Sequence, residues 1–217
     1  MSKKWVYAIF SVLMLAGFYL GLFWGNDLWK KKLPVLNDVK PYAFATQTGD
    51  TLTETDVAGK VQVVEFFFTT CKGICPKMNT NMKQIAVRYA DEPNLIILSH
   101  TVDPDTDSVA KLKAYADSLG AKRDQWIFLT GTKEKLYQSA RESYLLDDQN
   151  NNKGKIEEQF IHTQLFSLVD KNGRVRGIYD GLKKDELARL NEHIDLLLKE
   201  SYSGPRFVNG IFQNNPQ

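Results

Sequence analysis

The sequence predicts an α/β protein in which helices flank a mixed sheet on both faces, preceded by one N-terminal transmembrane helix. Three observations lead to this fold class. An apolar run without charged side chains opens the chain at residues 5–26. Strand-like and helix-like stretches then alternate over residues 61–144, which is the pattern of βαβ units. A strand-like hairpin and a closing helix follow, so the predicted sheet is mixed rather than wholly parallel.

The opening run is predicted to be a membrane anchor. About 20 apolar residues are enough to cross a bilayer as a helix. Trp5, Tyr7 and Trp24 place aromatic rings at both ends of the run, as in an interfacial belt. Lysines flank the run on both sides, so the positive-inside rule leaves its orientation open. No A-x-A cleavage site follows it, which favours an anchor over a signal peptide.

The rest of the chain, from about Leu33, is long enough for one domain of ordinary size. A net charge of +2, with no basic cluster interleaved with aromatics, argues against a nucleic-acid partner. The predicted division of the chain is a tail at 1–4, the anchor at 5–25, a linker at 26–41, the folded domain at 42–203 and a polar tail at 204–217.

Local signals delimit the elements of this domain. Gly49-Asp50 forms the turn of a first hairpin, and Asn172-Gly173 forms the turn of a second. Asp107 or Ser108 caps a helix that ends at Gly120. In order, the predicted elements are a hairpin at 42–55, a strand at 61–69, a helix at 77–89, a strand at 95–98, a helix ending at 119, a strand at 126–129, a helix at 132–144, a polar loop at 147–159, strands at 164–169 and 174–179, and a helix at 184–200.

The most informative stretch joins the strand at 61–69 to the helix that follows it. It holds Cys71 and Cys75, the only two cysteines among the 217 residues. A helix N-terminus favours thiolate over thiol, and the thiolate is both the nucleophile and the metal ligand. A C-x-x-C spacing would indicate a redox dithiol, whereas C-x-x-x-C leaves more room for a soft metal ion. A thiol pair after the first main strand makes a thioredoxin-like arrangement the natural choice of fold, by analogy.

Two sulfur ligands rarely suffice for a metal ion, so a third ligand is expected among the three histidines. His162 stands immediately before the strand at 164–169. In a thioredoxin-like sheet the turn entering that strand lies beside the thiol turn, so His162 is predicted as the third ligand. His100 is interpreted as a hydrogen-bonded core histidine, with metal contact as the weaker alternative. His193 is interpreted as solvated or half-buried.

Four stretches are specific in combination. They are Phe68-Thr69-Thr70-Cys71-x-x-x-Cys75-Pro76, Thr101-Val102-Asp103-Pro104-x-x-Asp107, Leu129-Thr130-Gly131-Thr132, and His162-Thr163 before Phe166-Ser167-Leu168-Val169-Asp170-Lys171-Asn172-Gly173. With the single N-terminal anchor, they resemble the Sco/SenC family of membrane-anchored copper proteins that assist cytochrome c oxidase assembly. The resemblance covers nearly all of the chain after the linker.

This resemblance implies a thioredoxin fold that faces the periplasm or its equivalent and binds a copper ion through Cys71, Cys75 and His162. It also implies delivery of copper to, or thiol reduction of, the dinuclear copper centre of oxidase subunit II. The chain has no presequence rich in arginine and serine. That absence favours a single-pass protein of the bacterial inner membrane over a mitochondrial protein.

The thiol loop departs from the family pattern at two positions. The family usually has proline directly after the first cysteine and often aspartate next, where this chain has Lys72 and Gly73. Neither position supplies a ligand, and Lys72 adds positive charge that favours thiolates. Asp103 and Asp107 are interpreted as turn and cap groups rather than as catalytic acids.

Three other functions are compatible with parts of the pattern. A membrane-tethered thiol–disulfide oxidoreductase would use Cys71 and Cys75 as a redox-active dithiol, but the C-x-x-C spacing and a proline before the strand at 164–169 are missing. A peroxiredoxin-like peroxidase would have Thr or Ser in place of Phe68. A closed structural zinc site lacks a fourth ligand. The metallochaperone, with no catalytic residue assigned, is the preferred interpretation, and the oxidoreductase is the alternative.

Overall fold

The computed structural model describes residues 3–23, 32–148, 155, 156, 159, 161 and 163–204. The chain divides into two compact units, residues 1–32 and residues 33–217. The first unit contains helix α1, Lys3–Phe23, which includes residues 5–23 of the predicted anchor. Over Lys3–Gly21 this helix is long and apolar enough to cross a membrane. Its large apolar side chains are exposed, with 67% of Trp5 accessible, as expected of a helix that lipid surrounds.

The second unit is built on one mixed sheet, which has eight strands in the described residues. The strands are β1 (Asn37–Asp38), β2 (Ala43–Thr46), β3 (Thr51–Thr53), β4 (Val61–Phe67), β5 (Leu95–Thr101), β6 (Trp126–Thr130), β7 (Leu165–Val169) and β8 (Arg174–Asp180). Their order across the sheet is β1-β8-β7-β4-β5-β6-β2-β3. The neighbours β4, β5 and β6 are parallel, and the other pairs are antiparallel.

Helices cover both faces of this sheet, which confirms the predicted mixed α/β class. One face carries α2 (Cys75–Arg88), α3 (Val109–Leu119) and α5 (Lys184–Lys199). The other face carries α4 (Lys133–Gln138) and the π-helical turn Ser139–Ser143 that continues it. Each face therefore has its own hydrophobic core, and the sheet separates the two.

Several predicted boundaries differ from the structure for physical reasons. The helix predicted at 77–89 begins at Cys75, because Pro76 has the fixed φ of a first helical turn and needs no hydrogen-bond acceptor there. The strand predicted at 95–98 continues to Thr101, and its added polar residues are completely buried. The helix predicted at 132–144 turns π-helical, since the Tyr144 N–H bonds the Ser139 carbonyl five residues earlier.

Residues 33–41 belong to the folded unit, although they were predicted as part of a linker. Leu33 is buried in the core, and the Leu36 N–H donates to the Val175 carbonyl at 2.8 Å. The next two residues form β1, which pairs with β8. Polar and proline-rich composition suggested a linker, but main-chain pairing to β8 overrides it. Residues 24–31 lie outside the described residues, as does the predicted tail after residue 204.

Arg176 holds this entering segment in place. Its guanidinium is 4% exposed and donates to the carbonyls of Leu33 and Pro34, at 3.2 and 3.1 Å from Nε. The same group donates to Asp170 at 2.7 Å and to Glu200 at 2.9 Å. A planar guanidinium with five donors suits such a junction. It ties the first residues of the domain to the turn after β7 and to the end of α5.

We expect Arg176→Met to lower the free energy of unfolding by about 3 kcal/mol, because Asp170 is 1% exposed and loses its buried counter-charge. Urea denaturation of the fragment beginning at Leu33 measures this loss. The matched control is Arg189→Met, whose exposed ion pair with Glu186 contributes less than about 1 kcal/mol. Equal losses of unfolding free energy in the two variants would contradict the role of Arg176 in holding the entering segment.

The central strand β4 positions the site. Its seven residues are all buried, and their side chains alternate between the two cores. Val61, Val63 and Phe67 face α2, whereas Val64 and Phe66 face α4. A strand covered on both faces has a nearly continuous apolar sequence, which explains the run at 61–68. The loop leaving its carboxyl end carries the cysteines, at the edge of the sheet where α/β proteins bind their ligands.

Candidate metal centre

The two cysteines lie where β4 passes into α2. Cys71 is in the connecting loop and is half-buried, while Cys75 is the first residue of α2 and is 4% exposed. Both thiols are free, and the Cys75 thiol donates a hydrogen bond to the Cys71 sulfur. The predicted convergence of the two side chains is therefore present, with one sulfur accessible from outside and the other behind it.

The environment of Cys71 favours its thiolate. Burial raises its pKa, but the hydrogen bond from Cys75 and those from the backbone N–H groups of Cys75, Gly73 and Ile74 outweigh burial, so the net pKa is lowered. These N–H groups belong to the first turn of α2, where backbone donors have no partner within the helix. The sequence-based expectation of an activated thiol at a helix N-terminus is met at Cys71.

Cys75 has the opposite character. Burial is the main cause that raises its pKa to about 12, followed by its hydrogen bond to Cys71. The backbone of Phe68 lowers it less, and the charges of Cys71 and Glu65 raise it further. At neutral pH Cys75 therefore keeps its proton, and Cys71 is the more acidic and the more accessible of the two thiols. A metal ion bound by both sulfurs has to displace that proton.

His162, the predicted third ligand, lies outside the described residues. The chain around it is described in part: Ile161 is buried, and the Thr163 hydroxyl accepts from the Leu165 N–H at 3.2 Å. Since β7 runs antiparallel to β4, the beginning of β7 lies at the end of the sheet where β4 finishes. The strand that follows His162 therefore starts on the side of the sheet that carries the thiol loop. The ligand role of His162 stays a prediction.

His100 is not near the cysteines. It is completely buried on the α4 face of β5, stacked on Phe66 at 4.9 Å between ring centroids and edge-on to Phe44 at 5.4 Å. Burial lowers its pKa to about 3, while the Glu65 and Leu98 carbonyls raise it less. The predicted core position is confirmed, but the predicted hydrogen bonding is wrong: neither ring nitrogen of His100 has a hydrogen-bond partner within the part of the chain that the structure describes. Ring contacts hold the side chain instead. Its alternative role as a metal contact is wrong, because the cysteines lie on the other face.

His193 is half-buried on α5, as predicted, and its Nδ1 lies 2.6 Å from the Tyr179 hydroxyl. Among the described residues, no three His, Cys, Asp or Glu side chains form a metal-binding group. The described part of the candidate site is thus the cysteine pair alone. Two close sulfurs, one favoured as thiolate, are the donors that soft ions such as Cu(I) and Zn(II) select.

Glu65, a buried acid in the middle of β4, was not singled out in the sequence analysis. Glu65 is completely buried on the α2 face and accepts from the Ser99 hydroxyl at 2.6 Å, while Trp126 Nε1 donates to the same hydroxyl at 2.8 Å. Burial raises the pKa of Glu65 to about 7, against the smaller lowering effect of Ser99. A single acid within an apolar strand was the available signal.

Of the two predicted caps of α3, Ser108 is confirmed and Asp107 is wrong. Ser108, rather than Asp107, caps α3, and its hydroxyl accepts from the Lys111 N–H at 3.3 Å. The Asp107 side chain is completely buried and accepts from Thr69 and Thr101 instead. Thr69 is two residues before Cys71, so Asp107 touches the loop that carries the candidate ligand.

Comparison with known proteins gives consistent matches. The family model described as SCO1/SenC matches residues 33–196. The chain is 32% identical over 155 residues to the SCO1 protein homolog of Bacillus subtilis, which covers 70% of this chain and 78% of that protein. It resembles the structure of BsSco, described as a member of the Sco family of cytochrome c oxidase assembly proteins with a disulfide switch. The TM-score is 0.66 at 27% identity, over 79% of this chain and 100% of that one.

Yeast Sco1, solved with copper bound, shares the fold with a TM-score of 0.56 at 24% identity, over 73% of this chain and 89% of the yeast chain. These likenesses confirm the predicted thioredoxin-like arrangement of the second unit.

Proposed function

The chain belongs to the SCO1/SenC family, and we propose that it is a membrane-anchored copper chaperone. It holds copper through Cys71, Cys75 and His162 and assists assembly of the dinuclear copper centre in subunit II of cytochrome c oxidase. One observation carries the proposal: two free sulfurs meet at the start of α2, one of them accessible and favoured as thiolate. The copper-bound structure of yeast Sco1, which shares this fold, supports copper as the cargo.

The residues of the thiol loop account for loading and release. Cys71 offers an accessible sulfur whose charge the N–H groups of the first turn of α2 stabilise. Cys75 binds only after losing its proton, so copper affinity is expected to fall at acid pH. Two sulfurs and one histidine leave the copper ion open to the thiols of a client protein, which suits transfer by ligand exchange.

Helix α1 supports anchoring in a membrane, since its span of apolar residues is exposed along its length. We place the protein in the bacterial inner membrane as a single-pass protein, with the copper-binding domain facing the periplasm or the outside. In that location its client is an oxidase subunit whose copper centre lies on the same side of the membrane.

The asymmetry of the dithiol favours a second candidate function, a thiol–disulfide oxidoreductase. The Cys71 thiolate would attack a client disulfide and form a mixed disulfide, releasing one client thiolate. Cys75, after losing its proton, would attack the Cys71 sulfur and release the second client thiol. The client gains two electrons, and the Cys71–Cys75 disulfide remains. An accessible sulfur with a lowered pKa, backed by a buried thiol, is suited to these two steps.

Anaerobic titration of the reduced protein with Cu(I) tests the proposal. One tightly bound copper per chain is expected, weakened in His162→Ala but unchanged in the matched control His193→Ala. Pre-formation of the Cys71–Cys75 disulfide is expected to abolish binding. An absence of tight copper binding, together with rapid reduction of protein disulfides, would replace the chaperone with the oxidoreductase.

A further inference from the structure

We propose that Asp107 is a positioning residue for the dithiol, because its buried carboxylate fixes the loop that carries Cys71. The carboxylate accepts from the Thr69 N–H at 3.0 Å and also from the Thr69 hydroxyl. It accepts from the Thr101 hydroxyl at 2.7 Å as well. The side chain is completely buried, so these donors replace the water that an exposed carboxylate would bind.

These bonds connect the thiol loop to the rigid sheet. Thr101 is the last residue of β5 and pairs with Phe67, the last residue of β4. The Val102 N–H donates to the Phe67 carbonyl at 2.8 Å, which closes the ends of the two strands together. Asp107 therefore holds Thr69 against a fixed point, two residues before Cys71. Bonds to both the backbone and the hydroxyl of Thr69 fix its position and its side-chain rotamer.

Local structure alone does not require the Asp107 carboxylate. Ser108 caps α3, and the preceding turn is closed by backbone bonds from the N–H groups of Thr106 and Asp107 to the Asp103 carbonyl. Besides the thiol loop and Thr101, the carboxylate has a lysine partner, with Lys111 Nζ at 3.5 Å. Its short hydrogen bonds thus go to the end of β5 and to the thiol loop rather than to α3, the helix that follows it.

Moving Thr69 away would leave a buried carboxylate short of two of its donors, and an uncompensated buried charge is strongly unfavourable. The loop is therefore confined to the conformation in which Cys71 meets Cys75. The inference rests on the proposed function in one respect: it assumes that this dithiol is the working group, whether it holds copper or exchanges disulfides. It adds a residue that sets how close the two sulfurs are held.

The test uses Asp107→Asn in the full chain in detergent. Asparagine keeps the size of the side chain but loses the charge and replaces one acceptor oxygen with a donor. We expect the equilibrium constant for forming the Cys71–Cys75 disulfide against glutathione to fall roughly tenfold, which is about 30 mV for this two-electron couple. Cu(I) affinity is expected to fall roughly tenfold as well, as when groups that orient metal ligands are removed.

The matched control is Asp170→Asn. Asp170 is equally buried, at 1% exposure, and accepts from the Asn172 and Arg174 N–H groups at 2.9 and 3.0 Å. It follows β7 at the end of the sheet away from the cysteines. This variant is expected to lose stability while keeping the disulfide equilibrium and the Cu(I) affinity of the wild type. A merely structural role for Asp107 would make the two variants alike, and that result would overturn the proposal.

Thr69→Val provides a second, milder variant, which removes the hydroxyl but keeps the backbone N–H. It is expected to shift the disulfide equilibrium in the same direction, and the double variant no further than Asp107→Asn alone. Additive effects would overturn the proposal. The disulfide equilibrium needs no copper, so a wild type that binds no copper would remove the chaperone function and leave this inference intact. If the wild type binds copper tightly and Asp107→Asn keeps the wild-type disulfide equilibrium and Cu(I) affinity, the chaperone function stands and this inference is overturned.

Discussion

Replacing Cys75 with serine is expected to remove tight Cu(I) binding. Thiolate sites hold metal ions with about 10 kcal/mol or more, so one of the two sulfur ligands of the proposed site carries on the order of 4 kcal/mol, about a thousandfold in affinity. Serine offers a hard oxygen that stays protonated at neutral pH. It suits the first turn of α2, so the variant is expected to fold. Anaerobic competition with a Cu(I) chelator measures the loss.

The matched control for this variant is Thr70→Ser, an exposed position in the same loop next to Cys71. It is expected to keep the affinity of the wild type. Cys71→Ser is expected to behave like Cys75→Ser. Retention of Cu(I) affinity within about tenfold in either cysteine variant would mean that copper is held elsewhere in the protein.

The same Cys75→Ser variant also separates the two candidate functions. If the protein reduces client disulfides, Cys71 still attacks, but no second thiol resolves the intermediate. A mixed disulfide between Cys71 and the client is then expected to accumulate, detectable on a non-reducing gel. A chaperone that only exchanges copper leaves no such adduct.

A second large effect is expected in the pH dependence of stability. Glu65 and His100 lie on the paired strands β4 and β5, on opposite faces, and both are completely buried. Burial raises the pKa of Glu65 from 4.5 to about 7 and lowers that of His100 from 6.5 to about 3. In both cases the folded protein keeps the neutral form where the unfolded chain is charged.

The two groups act with opposite signs. Between pH 4.5 and 7 the folded state keeps the Glu65 proton that the unfolded chain has lost, so stability falls as pH rises. Between pH 6.5 and 3 the unfolded chain takes up a proton that folded His100 refuses, so stability falls as pH is lowered. From pH 4.5 to 6.5 each effect amounts to about 2 kcal/mol, and they nearly cancel.

Single variants are expected to reveal each slope. Relative to the wild type, Glu65→Gln should gain about 2 kcal/mol of stability as the pH rises from 4.5 to 6.5, because only the His100 effect remains. His100→Phe should lose about 2 kcal/mol over the same range. Urea denaturation at several pH values measures both. Glu192→Gln, an exposed counterpart, is the control and should run parallel to the wild type. If unfolding free energy has the same pH dependence in all variants and the wild type, the shifted pKa values of Glu65 and His100 are contradicted.

Much of the fold follows from local signals in the sequence. Gly120 adopts φ 70° at the end of α3, and Gly173 adopts φ 75° in the second hairpin, which is why these turns were predictable. The buried strand β4 and the position of the two thiols after it were equally predictable from the sequence. By contrast, β1 forms only because a distant strand, β8, offers main-chain partners, and no local pattern encodes such pairing.

In the candidate site, too, the features set by local sequence were predictable, and those set by tertiary contacts were not. Cys71 and Cys75 are close in sequence and follow a strand, so their convergence was predictable. Asp107 and Ser108 were both candidate caps of α3, because Asp and Ser are equally good at that position and only the tertiary contact of Asp107 with Thr69 separates them. The neutral state of Glu65 likewise depends on burial between layers. His162 stays a prediction of the family resemblance and of strand order.

The strand order also has a consequence for biogenesis. β4 lies between β5, which follows it closely, and β7, which begins only at Leu165. A chain that emerges from its N-terminus exposes both thiols before β7 and α5 exist to complete the domain. Proteins with many cysteines need an isomerase to repair mispaired disulfides formed at this stage. Here the chain has only two cysteines, so an intramolecular disulfide formed too early is already the correct pair, and reduction alone restores the thiols.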